Sequence, residues 1–145
     1  MEIPAELEIR VVDVDEDYVM VQFSAADGVF AGSTGLYGAA EVVDALARGL
    51  SGFPRQPDEQ REIVLGSPNP DVADGWVTIR CRCEDRAGHV VLEVHIVDKA
   101  VRAAIPGREV RIHLSAEPAS LDRFAAALKR LQWRVGASAT MSRAV

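Results

Sequence analysis

The sequence predicts an α+β domain, with an antiparallel β-sheet or flattened barrel of about seven strands carrying two amphipathic helices. Apolar and polar residues alternate around Leu7, Ile9 and Val11 and again around Val19, Val21 and Phe23, the period-two signature of half-buried strands. The period then changes to helical spacing at Val42, Val43, Leu46 and Leu50. The second half repeats this order, strands followed by a helix. With 145 residues, 48% of them apolar and 26% charged, the chain is bounded to one domain able to bury its own core. That domain is expected to span residues 1–135, with residues 136–145 as a flexible C-terminal tail.

Each element has its own local reason. The first strand ends at the acidic run 13–17, the second covers 19–23, and Ala25-Ala26-Asp27-Gly28 turns into a third at 29–36. Gly32, Gly35 and Gly38 thin the packing of that strand, as a bulge or a closely approaching backbone would require. The helix from about residue 39 sets Glu41, Asp44 and Arg48 opposite its apolar stripe. It stops at Ser51-Gly52-Phe53-Pro54, where glycine can adopt a left-handed closing conformation and proline cannot continue a helix. A polar loop over 55–61, a short strand at 62–66 and a loop at 67–70 follow. Residues 76–84 and 89–97 alternate on either side of Asp85-Arg86-Ala87-Gly88 and predict a hairpin. After a loop at 99–107 comes a strand at 109–115. A helix capped by Ser120 then carries Leu121, Phe124, Ala125, Leu128 and Leu131 as its stripe. The recurrence points to a diverged duplication of a βββα unit.

Charge and cysteine usage narrow the function classes. The net charge is -6, which opposes nonspecific grip on nucleic acid, whose binding rests on Lys and Arg against phosphates. The charge is uneven, since residues 1–30 hold Arg10 alone against eight carboxylates, while the segment from Arg102 onward is basic. No apolar run is long enough to span a membrane, and the N-terminus has no secretory pattern. A cytoplasmic location is expected. Cys81 and Cys83 are two apart on one strand and read as apolar fillers, not as a disulfide.

No catalytic motif is recognisable, so a non-enzymatic role without cofactor or metal is expected. Ser33, Ser67, Ser115 and Ser120 lie in no nucleophile elbow, and Gly32-Ser33-Thr34-Gly35 lacks the lysine of a phosphate loop. The run Asp13, Asp15, Glu16, Asp17 lacks the glycine and terminal glutamate of a calcium loop. Alternation instead gathers Trp76, Arg80, Arg82, Glu93, His95, Arg111 and His113 on one outward sheet face, a candidate binding surface with Trp76 as anchor. His95 and His113 fall short of a metal ligand set. Phe53 and Trp133, each just after a helix, are expected to plug the seam between sheet and helix.

The stretches Ser51-Gly52-Phe53-Pro54-Arg55, Arg61-Glu62-Ile63-Val64-Leu65-Gly66 and Glu84-Asp85-Arg86-Ala87-Gly88-His89 carry a resemblance, over about residues 18–132, to a bacterial family. The chain resembles small proteins similar to the immunity partner of the cell-wall-associated WapA toxin. The resemblance implies a non-enzymatic protein that binds and occludes a cognate toxin domain, and it supplies no catalytic residues. In that reading Asp13, Asp15, Glu16 and Asp17 form an acidic partner loop that mimics phosphates in a basic cleft. The alternatives are a small-ligand or anion-binding domain using the Arg/His face, and a homo-oligomeric structural module or homodimer paired through an edge strand.

Overall fold

The computed structural model describes residues 5–67, 75–99, 104 and 107–142. The loops predicted at 67–70 and 99–107 fall largely outside these residues. The elements run β1 (Ala5–Val14), β2 (Val19–Asp27), β3 (Ala31–Tyr37), α1 (Ala39–Leu50), β4 (Gln60–Gly66), β5 (Gly75–Cys83), β6 (Val90–Asp98), β7 (Arg108–Ala116), α2 (Pro118–Lys129) and β8 (Ser138–Ser142). Two antiparallel four-stranded sheets result, ordered β3-β2-β1-β8 (sheet A) and β4-β5-β6-β7 (sheet B). The class is α+β as predicted, and among the described residues the strands form two antiparallel sheets and no closed barrel.

The recurrence in the sequence corresponds to a repeat in the topology. Three meandering strands and a helix occur twice, and the strand after each helix crosses to the other unit. Thus β4, following α1, pairs with β5, while β8, following α2, returns to pair with β1. The core rows match: Thr34, Phe23, Ile9 and Ala139 stand side by side in sheet A, as Ile112, Val94, Ile79 and Ile63 do in sheet B. Val43, Leu46, Ala47 and Leu50 of α1 recur at identical spacing as Leu121, Phe124, Ala125 and Leu128 of α2, all buried. Because the last strands are exchanged, the two units share one continuous apolar core, and neither can close without the other.

The expected tail is a correction. Residues 138–142 are β8, whose Ala139 and Met141 are buried against α2 and β1. The small polar alternation Ser-Ala-Thr-Met-Ser has Thr140 as its one β-branched residue and no aromatic, little of the bulk that marks a strand in sequence. Only a long-range partner makes it one, so the domain continues at least to Ser142, with eight strands among the described residues.

Smaller corrections follow from local chemistry. Helix α2 starts one turn earlier than Ser120, after Glu117, with Pro118 in the first helical position where its missing N–H costs nothing. Ser120 is buried and accepts a hydrogen bond from Arg123 at 3.1 Å. Val29 and Phe30 belong to the turn before β3 and are 69% and 64% exposed. Phe53 is buried as expected, whereas Trp133 is 41% exposed in the turn before β8. Cys81 is buried and Cys83 half-buried, both as free thiols, and burial pushes the Cys81 thiol up to about 12.

The end of α1 is tied by Arg61. Gly52 takes the left-handed conformation there, with φ 66°. Arg61 donates to the carbonyls of Gly49 (3.0 Å), Ser51 (2.7 Å) and Gly52 (3.2 Å), and its Nε donates to Glu59 at 2.8 Å. Its guanidinium also lies 5.2 Å from the Phe53 ring centroid. The Gly52 N–H donates to Asp122 on α2 at 2.9 Å, so the loop read as merely polar links both helices to β4.

Strand β3 packs on all four strands of sheet B at one end of that sheet, with Leu36 against Gly66, Thr34 against Gly75 and Gly32 against Val110. The contact needs small residues. A side chain at Gly32 would strike Val110, and one at Gly75 would strike Thr34 and the Val97 carbonyl. Gly32 therefore marks a close approach, and the β2–β3 register runs without a bulge. The bulge in sheet A sits in β1, between Val11 and Asp13.

Candidate functional site

Two surfaces contain the residues singled out from sequence. The first is the outward face of sheet B. Register sets Glu62, Arg80, Glu93 and His113 in one row across β4 to β7, and Val64, Thr78, His95 and Arg111 in the next. Trp76, Arg80, Glu93, His95 and Arg111, together with Glu62, Val64 and Thr78, line a shallow pocket of about 310 Å³. The Trp76 ring stands edge-on to the His95 ring at 5.9 Å. Arg82 and His113 flank the pocket without entering its lining.

Charge inside this pocket is already paired. Glu93 contacts Arg111 at 3.1 Å, His113 at 3.7 Å and Arg80 at 4.0 Å, and Arg80 also holds Glu62 at 3.0 Å. His95 meets Glu109 at 3.2 Å. His95 and His113 thus stand on different glutamates, and among the described residues no group of three ligands could hold a metal ion. An incoming anion would have to displace these carboxylates from the arginines. Arg82 alone of the three arginines makes no ion pair among the described residues. Sequence reading missed Glu62 and Val64. The alternation of Ile63 and Leu65 with Glu62 and Val64 was available, but which strand would lie beside them was not.

The second surface is the end of sheet A. The antiparallel order brings the end of β3, the start of β2, the end of β1 and the turn before β8 to one edge. Tyr37, Tyr18, Asp13 and Val14 come together there. The Tyr18 hydroxyl donates to Asp13 at 3.0 Å, and its ring stands edge-on to Tyr37 at 5.5 Å. The bond to Asp13 and the charge of that carboxylate hold the Tyr18 phenol above its ordinary range. Asp15, Glu16 and Asp17 form the exposed turn beside them, closed by the Asp15 N–H on the Tyr18 carbonyl at 2.9 Å. The turn carrying Trp133 and Val135 is fastened to β1 by the Gly136 N–H on the Val11 carbonyl at 2.9 Å.

This corner therefore combines exposed apolar and aromatic side chains with a carboxylate cluster. Val12, Val14, Tyr18 and Tyr37 are 38 to 45% exposed. Between Arg10 and Arg48 the chain has no basic residue and seven acidic ones. The sequence pointed to the acids; only the meander puts Tyr37 next to Tyr18.

His89, in the β5–β6 turn, belongs to neither surface. It pairs with Asp85 at 2.6 Å, and Asp85 also accepts from the Ala87 and His89 N–H groups. The hydrogen bond to Asp85 and its charge raise the His89 pKa above 6.5, and the same bond lowers that of Asp85. The turn is therefore held between the two titrations: the histidine contribution is full below 6.5 and lost as pH rises through the raised value, and the aspartate contribution is lost as pH falls through its lowered value. In an NMR titration the His89 midpoint is expected above 6.5 and should fall in Asp85→Asn. An unchanged midpoint in that variant would show that the pair does not form in solution.

Among the described residues, no helix is long and apolar enough to cross a membrane. Compared with protein-family models, curated proteins and solved structures, the chain matches none, so its functional reading rests on the geometry of these two surfaces.

Proposed function

We propose that the protein is a non-enzymatic binding protein that occludes a basic domain of another protein, in the manner of an immunity protein on its toxin. The observation that carries this reading is the corner of sheet A, where exposed Tyr18, Tyr37 and Val14 adjoin Asp13, Asp15, Glu16 and Asp17. Aromatic side chains supply contact area at low entropic cost, and a ring of one charge speeds encounter with the opposite charge. A cytoplasmic site of action fits two free cysteines, one of them buried. The paired charges on sheet B weigh against the anion-binding alternative.

Capture from native lysate with the wild type and with the fourfold variant Asp13→Asn, Asp15→Asn, Glu16→Gln, Asp17→Asn tests this. One stoichiometric partner with a basic domain is expected on the wild type and not on the variant. Its association rate should fall roughly tenfold or more as salt rises from low to high ionic strength. A partner indifferent to both salt and substitution overturns the acidic-corner mechanism. Recovery of the protein alone, with thermal stabilisation by inorganic phosphate that Arg82→Ala abolishes, would instead favour the ligand-binding reading.

A further inference from the structure

Four strands end the two sheets, and they are not equally protected. Helix α1 packs on β4 and α2 packs on β8. Strand β7 carries Arg108, Glu109, Arg111 and His113, long charged side chains of the kind that guard a sheet edge. Strand β3 reads Ala-Gly-Ser-Thr-Gly-Leu-Tyr and has no charge at all.

Backbone hydrogen bonding alternates along an antiparallel pair, and the Asp27 N–H bond to the Phe30 carbonyl at 3.1 Å sets its phase. Gly32, Thr34 and Leu36 then bond to β2. Ala31, Ser33, Gly35 and Tyr37 turn their N–H and C=O groups to the other side, where no partner for them exists among the described residues.

The surroundings of this edge suit an added strand. Phe30, 64% exposed, stands at one end and Tyr37, 45% exposed, at the other. A hollow of about 370 Å³ lies on one side of Ala31 to Ser33, with Glu6, Glu8 and Ser24. A second, of about 340 Å³, lies on the other, with Ile96, Asp98, Arg108 and Val110. An extended segment would send alternate side chains into the two.

We propose that the free edge of β3 binds an extended, lysine- or arginine-bearing segment of the partner by β-strand addition, which rests on the reading above and gives it a docking mode. Charge chooses the occupant. Asp27 lies at one end of the edge, the Asp13 to Asp17 turn adjoins the other through Tyr18 and Tyr37, and Glu6 and Glu8 border the first hollow. A second copy pairing antiparallel on β3 would set the Tyr37 end of one chain against the Asp27 end of the other, acid against acid.

The test uses the full chain and amide exchange by NMR. In the free protein the amides of Ala31, Ser33, Gly35 and Tyr37 should exchange fast while those of Thr34 and Leu36 are slow. The probe is a capped peptide of alternating lysine and valine as long as β3. Its binding is expected to slow the four fast amides about tenfold or more, and methylation of its alternate backbone nitrogens should abolish this. Ser33→Pro, which removes only an outward N–H and so is tolerated on an edge, should abolish it too, as should a glutamate-for-lysine peptide.

Four results would overturn the proposal. They are slow exchange of the four amides in the free monomer, concentration-dependent dimerisation that protects them, no binding of the lysine peptide, or equal binding of the methylated peptide. If a captured partner is lost with the fourfold carboxylate variant yet leaves the four amides fast in the complex, strand addition fails while the acidic-corner reading stands.

Discussion

Arg61→Ala is expected to lower the stability of the fold by about 2–4 kcal/mol, far more than a loop arginine ordinarily does. The guanidinium satisfies the carbonyls of Gly49, Ser51 and Gly52 at the end of α1, holds Glu59, and covers the Phe53 ring. Truncation leaves those carbonyls without their donor in a half-buried seam. It also removes positive charge from a helix C-terminus, where it is favourable. Glu59, whose carboxyl is held below its usual range chiefly by the bond from Arg61, loses that partner as well. Lysine cannot span the same acceptors, because it lacks the planar fork. Urea denaturation of Arg61→Ala and Arg61→Lys checks this: a loss below about 1 kcal/mol in the alanine variant would mean that water replaces the guanidinium without penalty.

Gly75→Ala is expected to cost roughly 3 kcal/mol, the upper range for overpacking. One added methyl would lie 2.5 Å from the Val97 carbonyl and against the Thr34 hydroxyl. Neither can step aside, since Val97 is held in the β5–β6 ladder and Thr34 donates to Asp98 at 2.8 Å. The methyl must therefore push β3 off that end of sheet B. Calorimetry on Gly75→Ala measures the effect. A neutral result would show that the two sheets slide freely at their contact, contrary to a packed interior.

Both sites show how far the sequence could be read. Phe53, Pro54 and Arg61 were visible as a helix stop followed by a polar loop. That Arg61 folds back onto the stop was not, because nothing in local spacing says where a long side chain returns. Thinned packing at Gly32 was legible, and its partner Val110 was not. On sheet B, alternation alone collected six of the eight residues lining the pocket, Thr78 among them, all but the two from β4. That Glu93 and Glu62 neutralise its arginines was decided by strand pairing.

The amino-acid sequence by itself determined the periods, and with them the strands, the two helices, their buried faces and the α+β class. These follow from side-chain direction within one element, which is a local property of the backbone. Tertiary structure alone decided which strands became neighbours. It turned the weak pattern at 138–142 into β8, exchanged the last strand of each unit, brought Tyr37 to Tyr18 and Asp13, and left the outer edge of β3 without a paired strand among the described residues. Such pairings join residues far apart in the chain, and their energy lies in the contacts of both partners together, so no stretch of sequence records them alone.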